Sequence, residues 1–402
     1  MKRRARILLL CGVGHLYSHF YMLAYPSLVL WIHQDFSVDR SQALSWGTPM
    51  YILFGAASIP FGALGDRFSN RKLLAAMLIG MGLFSFLAAL ATTPTFLQIA
   101  LIGIGLCAAI YHPVGMSLIS RCCERRGQAM GNNGVWGSLG IGLPPFLVGS
   151  ISAALGWRGA FWICGVPALV TGIIYLVQEL DEAPLPEHTE SSLKDEKRSI
   201  HPALLFSILM LSCTLIGWSY RGTVVSLPLA FRSYSESFAA MLKPEALPLE
   251  TVITWMVSAV YLVSVLGQVL GGKLADRMDL RKGYLLFHAC SLPCMLIMSR
   301  AGGALLFFAA MSFVFFSVGM QPIENSLVAR LTPLRYRSFA YSLKFTLVFG
   351  TGALAVQLAR YFDQQGNLQR LYQLQSGLVC CVLLCIACIF LVTRGLSYRN
   401  QS

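Results

Sequence analysis

Charge is what this sequence has little of. Only 12% of its 402 residues are Asp, Glu, Lys or Arg, where a soluble domain carries about 25%. So sparse a supply cannot cover a large water-facing surface, and a soluble globular domain of this length is excluded. Three motifs are also missing. No G-x-x-x-x-G-K-[ST] phosphate loop occurs, so pumping driven by ATP on this chain is not expected. No H-E-x-x-H and no plausible nucleophile triad occurs, which leaves a membrane enzyme acting on lipid without its chemistry. No extra soluble domain or long tail is expected, and a sensor or scaffold would need one to report through.

Apolar residues make up what is present: 56% of the chain is hydrophobic, and mean hydropathy is +0.63. A bilayer core of about 30 Å takes about 20 apolar residues per helix. Twelve such stretches follow one another. The first six are 7–32, 43–65, 73–92, 95–120, 128–154 and 157–180. The second six are 201–231, 251–273, 284–300, 302–329, 339–361 and 369–393. The first stretch is too long for the core of a cleaved signal and has no A-x-A site after it, so it reads as an uncleaved helix. The 12 cysteines fall mostly inside these runs, where the thiol serves as a small apolar packing group.

The excess of basic over acidic residues, a formal charge of +13, invites a nucleic-acid reading, but its placement argues for topology instead. With the N-terminus inside, 22 Lys and Arg fall on the cytoplasmic side and 7 on the outer side. Arg221 and Lys344 fall within helices. This asymmetry predicts a multi-pass inner-membrane protein with both termini in the cytoplasm, and it explains the positive charge without nucleic acid.

A repeat is legible in the loops. Gly62-Ala-Leu-Gly-Asp66-Arg67-Phe-Ser-Asn-Arg71-Lys72 returns as Gly272-Lys-Leu-Ala-Asp276-Arg277-Met-Asp-Leu-Arg281-Lys282, 210 residues further on. His112-Pro113 with Ser117-Leu118 is echoed by Gln321-Pro322 with Ser326-Leu327 at a spacing of 209. Both spacings predict a duplicated six-helix unit: residues 1–180, a cytoplasmic linker over 181–200, and residues 201–402. Parallel repeats of this kind place a solute site between them, near the middle of the membrane.

At these residues the chain resembles the major facilitator superfamily, over its full length. The family's loop signature G-x-L-A-D-R-x-G-R-[RK]-x-x-[LI] is matched at Gly62, Leu64, Asp66, Arg67, Arg71 and Leu74. Gly65, Ser69 and Asn70 depart from it. The second copy matches at Gly272, Leu274, Ala275, Asp276, Arg277 and Arg281. The resemblance implies an all-α polytopic membrane protein, with twelve transmembrane helices in two pseudo-symmetric six-helix bundles. It also implies that the loop residues act as a latch between the bundles. A carboxylate such as Asp66 facing a helix N-terminus of the other bundle makes that contact in one state only. Tyr111-His112-Pro113 resembles the fosmidomycin-resistance branch of the family. The helix 5 antiporter motif is not matched, since Gly134, Gly137, Gly140 and Gly142 precede Pro144-Pro145 without its pattern. Export is therefore not indicated by that signature.

Ionisable residues inside a spanning helix cost about 2.5–3.5 kcal/mol each and usually line a cavity. His15 and His19 stand four apart on one face of the first helix, and His112, Arg221, Glu324, Asn325 and Lys344 follow in later helices. Each has a plain alternative. His112 either lines the cavity or bonds a carbonyl freed by Pro113. Glu324 and Lys344 are either a structural ion pair or part of ion coupling. Arg221 either grips an anion with its planar fork or pairs with Glu324. The pair His15 and His19 offers two metal ligands and no third, so no metal and no cofactor is expected. Aligning Pro26 with Pro228, 202 residues apart, sets His19 opposite Arg221.

Together these features predict a monomeric secondary transporter of a small anionic or zwitterionic solute, coupled to protons and embedded in the lipid bilayer. A drug efflux antiporter of the same fold is the alternative nearest to it.

Overall fold

A backbone inside hydrocarbon must satisfy its own hydrogen bonds, and a helix does so within a single segment. The structure, a computed structural model, describes residues 3–65, 67–123, 126–182, 202–332 and 337–393. Among these, regular structure is helical throughout, without a strand.

Ten helices in the described residues are long and apolar enough to cross a membrane. One of them, Ala129–Val177, is two helices run together across Gly156, at φ 69° and ψ 173°. Only glycine takes such a φ without strain, and here the chain turns back on itself. The 19-residue helix Leu280–Met298, which opens on Arg281 and Lys282, completes the set of twelve. In order these are α1 (Arg3–Asp35), α2 (Arg40–Gly65), α3 (Asn70–Ala89), α4 (Pro94–Ile119), α5 (126–155) and α6 (157–177). They continue as α7 (Pro202–Tyr234), α8 (Leu249–Arg277), α9 (Leu280–Met298), α10 (Gly303–Val328), α11 (Phe339–Gln364) and α12 (Leu368–Val392). Every span expected from hydropathy is present.

Large apolar side chains stand on the outside of the bundle: Leu266 is 63% exposed and Leu384 67%. On a soluble protein such a belt would aggregate; around twelve apolar helices it is the surface that meets lipid. Cys385 and Cys388 have a C-x-x-C spacing on α12, but both are free thiols within this apolar helix.

Several helices are interrupted near their middles. Pro113 and Pro322 lack the N–H that the preceding turn needs, and α4 and α10 break at Ala109–Ile110 and at Met320, just before these prolines. A π-helical turn over Thr346–Gly350 interrupts α11. Such turns are frequent at functional sites, and this one carries Phe349.

Two interfaces join α1–α6 to α7–α12. α5 lies against α8, where Trp255 Nε1 donates to Ser150 Oγ at 2.9 Å. α2 lies against α11, where a Cβ on Gly55 would overlap the backbone nitrogen of Gly350. At the end of the bundle remote from the termini, Arg40 binds both oxygens of Asp363, at 3.0 and 3.2 Å, and donates to Ser233 at 2.7 Å.

The repeated loops have a shared architecture. The Glu182 carboxylate accepts from Ser69 Oγ (2.7 Å) and from the amides of Asn70 (2.8 Å) and Arg71 (3.0 Å), capping α3. A negative group at the helix N-terminus satisfies amides that have no partner within the helix. Arg71 Nη1 then donates to the carbonyls of Tyr175 and Leu176, both at 2.6 Å, at the end of α6. In the second copy Asp279 accepts from the Arg281 amide at 2.9 Å and caps α9. Arg281 donates to the Thr393 carbonyl (3.0 Å) and hydroxyl (2.7 Å) just past α12. Thus Arg71 and Arg281 tie each loop to helices of its own half of the chain. Arg67, Asp276 and Arg277 are exposed, Gly62 packs over Pro113, and Gly272 is open; Asp66 lies outside the described residues.

Candidate functional site

The interruptions of α4 and α11 lie against the middle third of α1, around His15 and His19, and the intramembrane polar residues fall into two clusters with Arg221 as a third element.

The first cluster contains three histidines. His15 stacks on the Tyr111 ring, with centroids 4.7 Å apart and planes 13° apart. Its Nδ1 lies 2.8 Å from the Asn133 carbonyl. A carbonyl only accepts, so Nδ1 carries the proton and Nε2 presents a lone pair. His19 lies one turn along α1, its Nε2 3.1 Å from His15 Nε2. His112, delivered by the break before Pro113, stands 5.3 Å from each of their rings. It does not bond a freed carbonyl: both of its nitrogens are buried without a hydrogen-bond partner. An unmet buried polar atom costs about 1–3 kcal/mol. Tyr111 OH donates to Asn133 Oδ1 at 2.6 Å and steadies the wall behind His15. Gly137 of α5 leaves the space that the His15 ring fills.

The second cluster lies among α7, α9, α10 and α11. Lys344 and Glu324 form an ion pair, with side chains 5% and 3% exposed. Lys344 Nζ also donates to Asn325 Oδ1 at 2.6 Å. Tyr284 OH donates to Glu324 Oε2 at 3.0 Å and is met by Ser212 Oγ at 2.8 Å. The pair read from sequence is therefore formed, and it is embedded in further hydrogen bonds, as a buried ion pair requires.

Arg221 belongs to neither cluster. It is 3% exposed, its guanidinium carbon 4.7 Å from the Tyr51 ring and 5.8 Å from the Phe349 ring. Its Nε has no hydrogen-bond partner. Among the described residues it makes no ion pair, because Glu324, the acid it was weighed against, is held by Lys344. Phe349 separates it from the histidines: the same ring lies 6.3 Å from His19 and 5.0 Å from His112. Residues from α1, α2, α4, α7 and α11 thus converge on one aromatic side chain of the π turn.

This arrangement of twelve helices, with a repeated loop and polar groups at their midpoint, can be set against known proteins. The sequence profile of the Major Facilitator Superfamily matches residues 10–244 and 230–402. The chain belongs to this superfamily. As a superfamily member it is a membrane transporter rather than an enzyme. It is 24% identical over 365 residues to the Uncharacterized MFS-type transporter YfnC of Bacillus subtilis (strain 168), covering 90% of this chain and 87% of that protein. Its fold is similar to crystal structures of a bacterial homologue of the human lysosomal transporter Spinster. The inward-facing, occupied form gives a TM-score of 0.69 at 14% identity, over 98% of both chains. The inward-facing, unoccupied form gives 0.70 at 15%, again over 98% of both.

In this transporter the seven intramembrane residues singled out from sequence fall into the histidine cluster, the Lys344–Glu324–Asn325 cluster and Arg221. The structure also adds residues that sequence reasoning passed over. His288 of α9 is fully buried, lies edge-on to Tyr284 with centroids 4.5 Å apart, and has both nitrogens without a partner. A histidine within an apolar helix was the available signal. Tyr51 and Phe349 had none, since an aromatic residue inside a spanning helix is unremarkable until its neighbours are known.

Proposed function

We propose that this superfamily member moves a small anionic or zwitterionic solute by alternating access, coupled to protons. The observation that carries the reading is Arg221, a buried guanidinium over the Tyr51 ring and, among the described residues, without an acid to neutralise it. A fixed charge in such a place is costly and matches a carboxylate or phosphate that it can grip bidentately. Coupling is assigned to Glu324, the one acidic residue that is buried among the described residues. Protonation of Glu324 releases Lys344, while Tyr284 donates to that carboxylate and His288 packs edge-on against Tyr284.

Alternating access follows from two bundles, residues 1–180 and 201–402, rocking about this centre. The Arg40–Asp363 pair and the Gly55–Gly350 contact join them on one side of it. The loop carboxylates Asp66 and Asp276 are the state-dependent part of the repeated motif, and Arg71 and Arg281 are struts within each bundle. The Lys and Arg asymmetry supports an inner-membrane orientation with both termini in the cytoplasm.

The test is flux. Purified protein in proteoliposomes should accumulate one class of radiolabelled carboxylate, phosphate or amino-acid-like solute under an imposed pH gradient. Accumulation confined to cationic or neutral drugs, or indifferent to the gradient, would replace this reading with the efflux alternative or with an uncoupled carrier.

A further inference from the structure

We propose that His15, His19 and His112 form a three-nitrogen site for a divalent transition-metal ion. The spacing of His15 and His19 along α1 supplies two ligands, and the break in α4 supplies the third from a different helix. One ligating nitrogen from each residue lies within 4.8 Å of the others. A tetrahedral ion with metal–nitrogen bonds of about 2.0–2.1 Å holds its ligands about 3.3 Å apart. His15 and His19 already meet that separation at 3.1 Å, and His112 closes the remainder by a side-chain movement of about 1.5 Å at most.

Three features go beyond proximity. His15 is set up as a metal-binding histidine is: one nitrogen donates to a backbone carbonyl, which orients the ring and leaves the other as a donor to metal. His112 offers two buried nitrogens without a hydrogen-bond partner among the described residues. His19, part-exposed between two buried partners, gives an ion its approach. The hydrogen bond between His15 and His19 is the contact a metal would replace, with the His19 proton moving to Nδ1. Imidazole alone, without thiolate or carboxylate, suits zinc, copper, nickel or iron rather than magnesium or calcium. Three protein ligands leave a fourth position for water or an anion, as in sites where metal does more than hold a fold together. The assignment does not rest on what Arg221 binds, since the Phe349 ring packs against both the guanidinium and the histidines.

Zinc is the probe. The full chain, purified in detergent, freed of any affinity tag and stripped with chelator, should take up one Zn²⁺ per molecule in equilibrium dialysis. Cobalt in place of zinc should give the visible absorption of a tetrahedral nitrogen site. Replacing an outer-shell partner of a metal histidine costs about 10–100-fold in affinity, so H112A and H19A should each lose about 100-fold or more. H288A, which removes a buried histidine outside the site, should bind as the parent does. Failure of the parent chain to retain zinc, or retention unchanged in H112A, would overturn the assignment. Should H112A not fold, X-ray absorption of the zinc-loaded parent decides: three imidazoles support the site, and fewer than three overturn it.

Discussion

Replacing Arg221 with lysine keeps the positive charge but removes the planar fork and weakens the stacking on Tyr51. In the structure the guanidinium rests 4.7 Å from that ring and carries an unpartnered Nε. A hydrogen bond to a charged group is worth about 1.5–3 kcal/mol, and about 1.4 kcal/mol is tenfold in affinity. Losing one arm of a bidentate grip should therefore weaken solute binding by about tenfold to a hundredfold. R221Q, which also loses the charge, should weaken it further. The stability arm has the opposite sign. Among the described residues Arg221 neutralises no acid, so R221Q orphans no carboxylate there and removes a charge that is costly to bury. Without solute its melting temperature should hold or rise. The assay is a thermal-shift screen of purified protein against small carboxylates, phosphates and zwitterions, followed by titration of the best ligand into parent, R221K and R221Q. Equal affinity in R221K, or a large fall in melting temperature in R221Q with affinity intact, would show that Arg221 is structural.

Other consequences are open to the same treatment. E324Q should retain solute exchange yet lose accumulation driven by a pH gradient, and unaltered accumulation would remove Glu324 from coupling. Breaking the buried pair with K344M should cost about 3–5 kcal/mol, while K344M combined with E324L should recover most of it; chemical denaturation or melting reads both. R71A and R281A should lower the melting temperature without shifting solute affinity, because these side chains bind helix ends within their own half of the chain; a selective change in affinity would restore them to the latch. G55V should block the close approach of α2 to α11, raising cysteine-reagent labelling of nearby positions and lowering flux; normal flux would place the moving contact elsewhere. Reporter fusions at residue 190 and at the C-terminus should both read cytoplasmic, and an external reading at either would overturn the orientation.

The number and order of the spanning helices were written in the sequence, because apolar runs of membrane length and the prolines and glycines that punctuate them are local properties. The duplication was legible for the same reason: Asp66 and Asp276, and Arg71 and Arg281, keep their spacing whatever the chain does between them. Sequence also isolated the intramembrane polar residues, since a charge in hydrocarbon stands out against its neighbours. It could not tell which of them meet. His15 and His19 share a helix face, but the third histidine arrives from α4, almost a hundred residues away, where Pro113 breaks the helix. Glu324 had two cationic partners open to it, Arg221 and Lys344, and only the rotation of α10 and α11 about their axes decided for Lys344. That choice left Arg221 stacked on Tyr51 and Phe349, beside a π turn that no hydropathy pattern announces. Arg71 and Arg281 look alike in sequence as topology signals and as latches, and their bonds to the ends of α6 and α12 are visible only once those ends are in place to receive them. Helix existence depends on the residues within one segment. Which helix faces meet depends on the tilt and rotation of several segments packed at once, and the interior of this transporter was decided there.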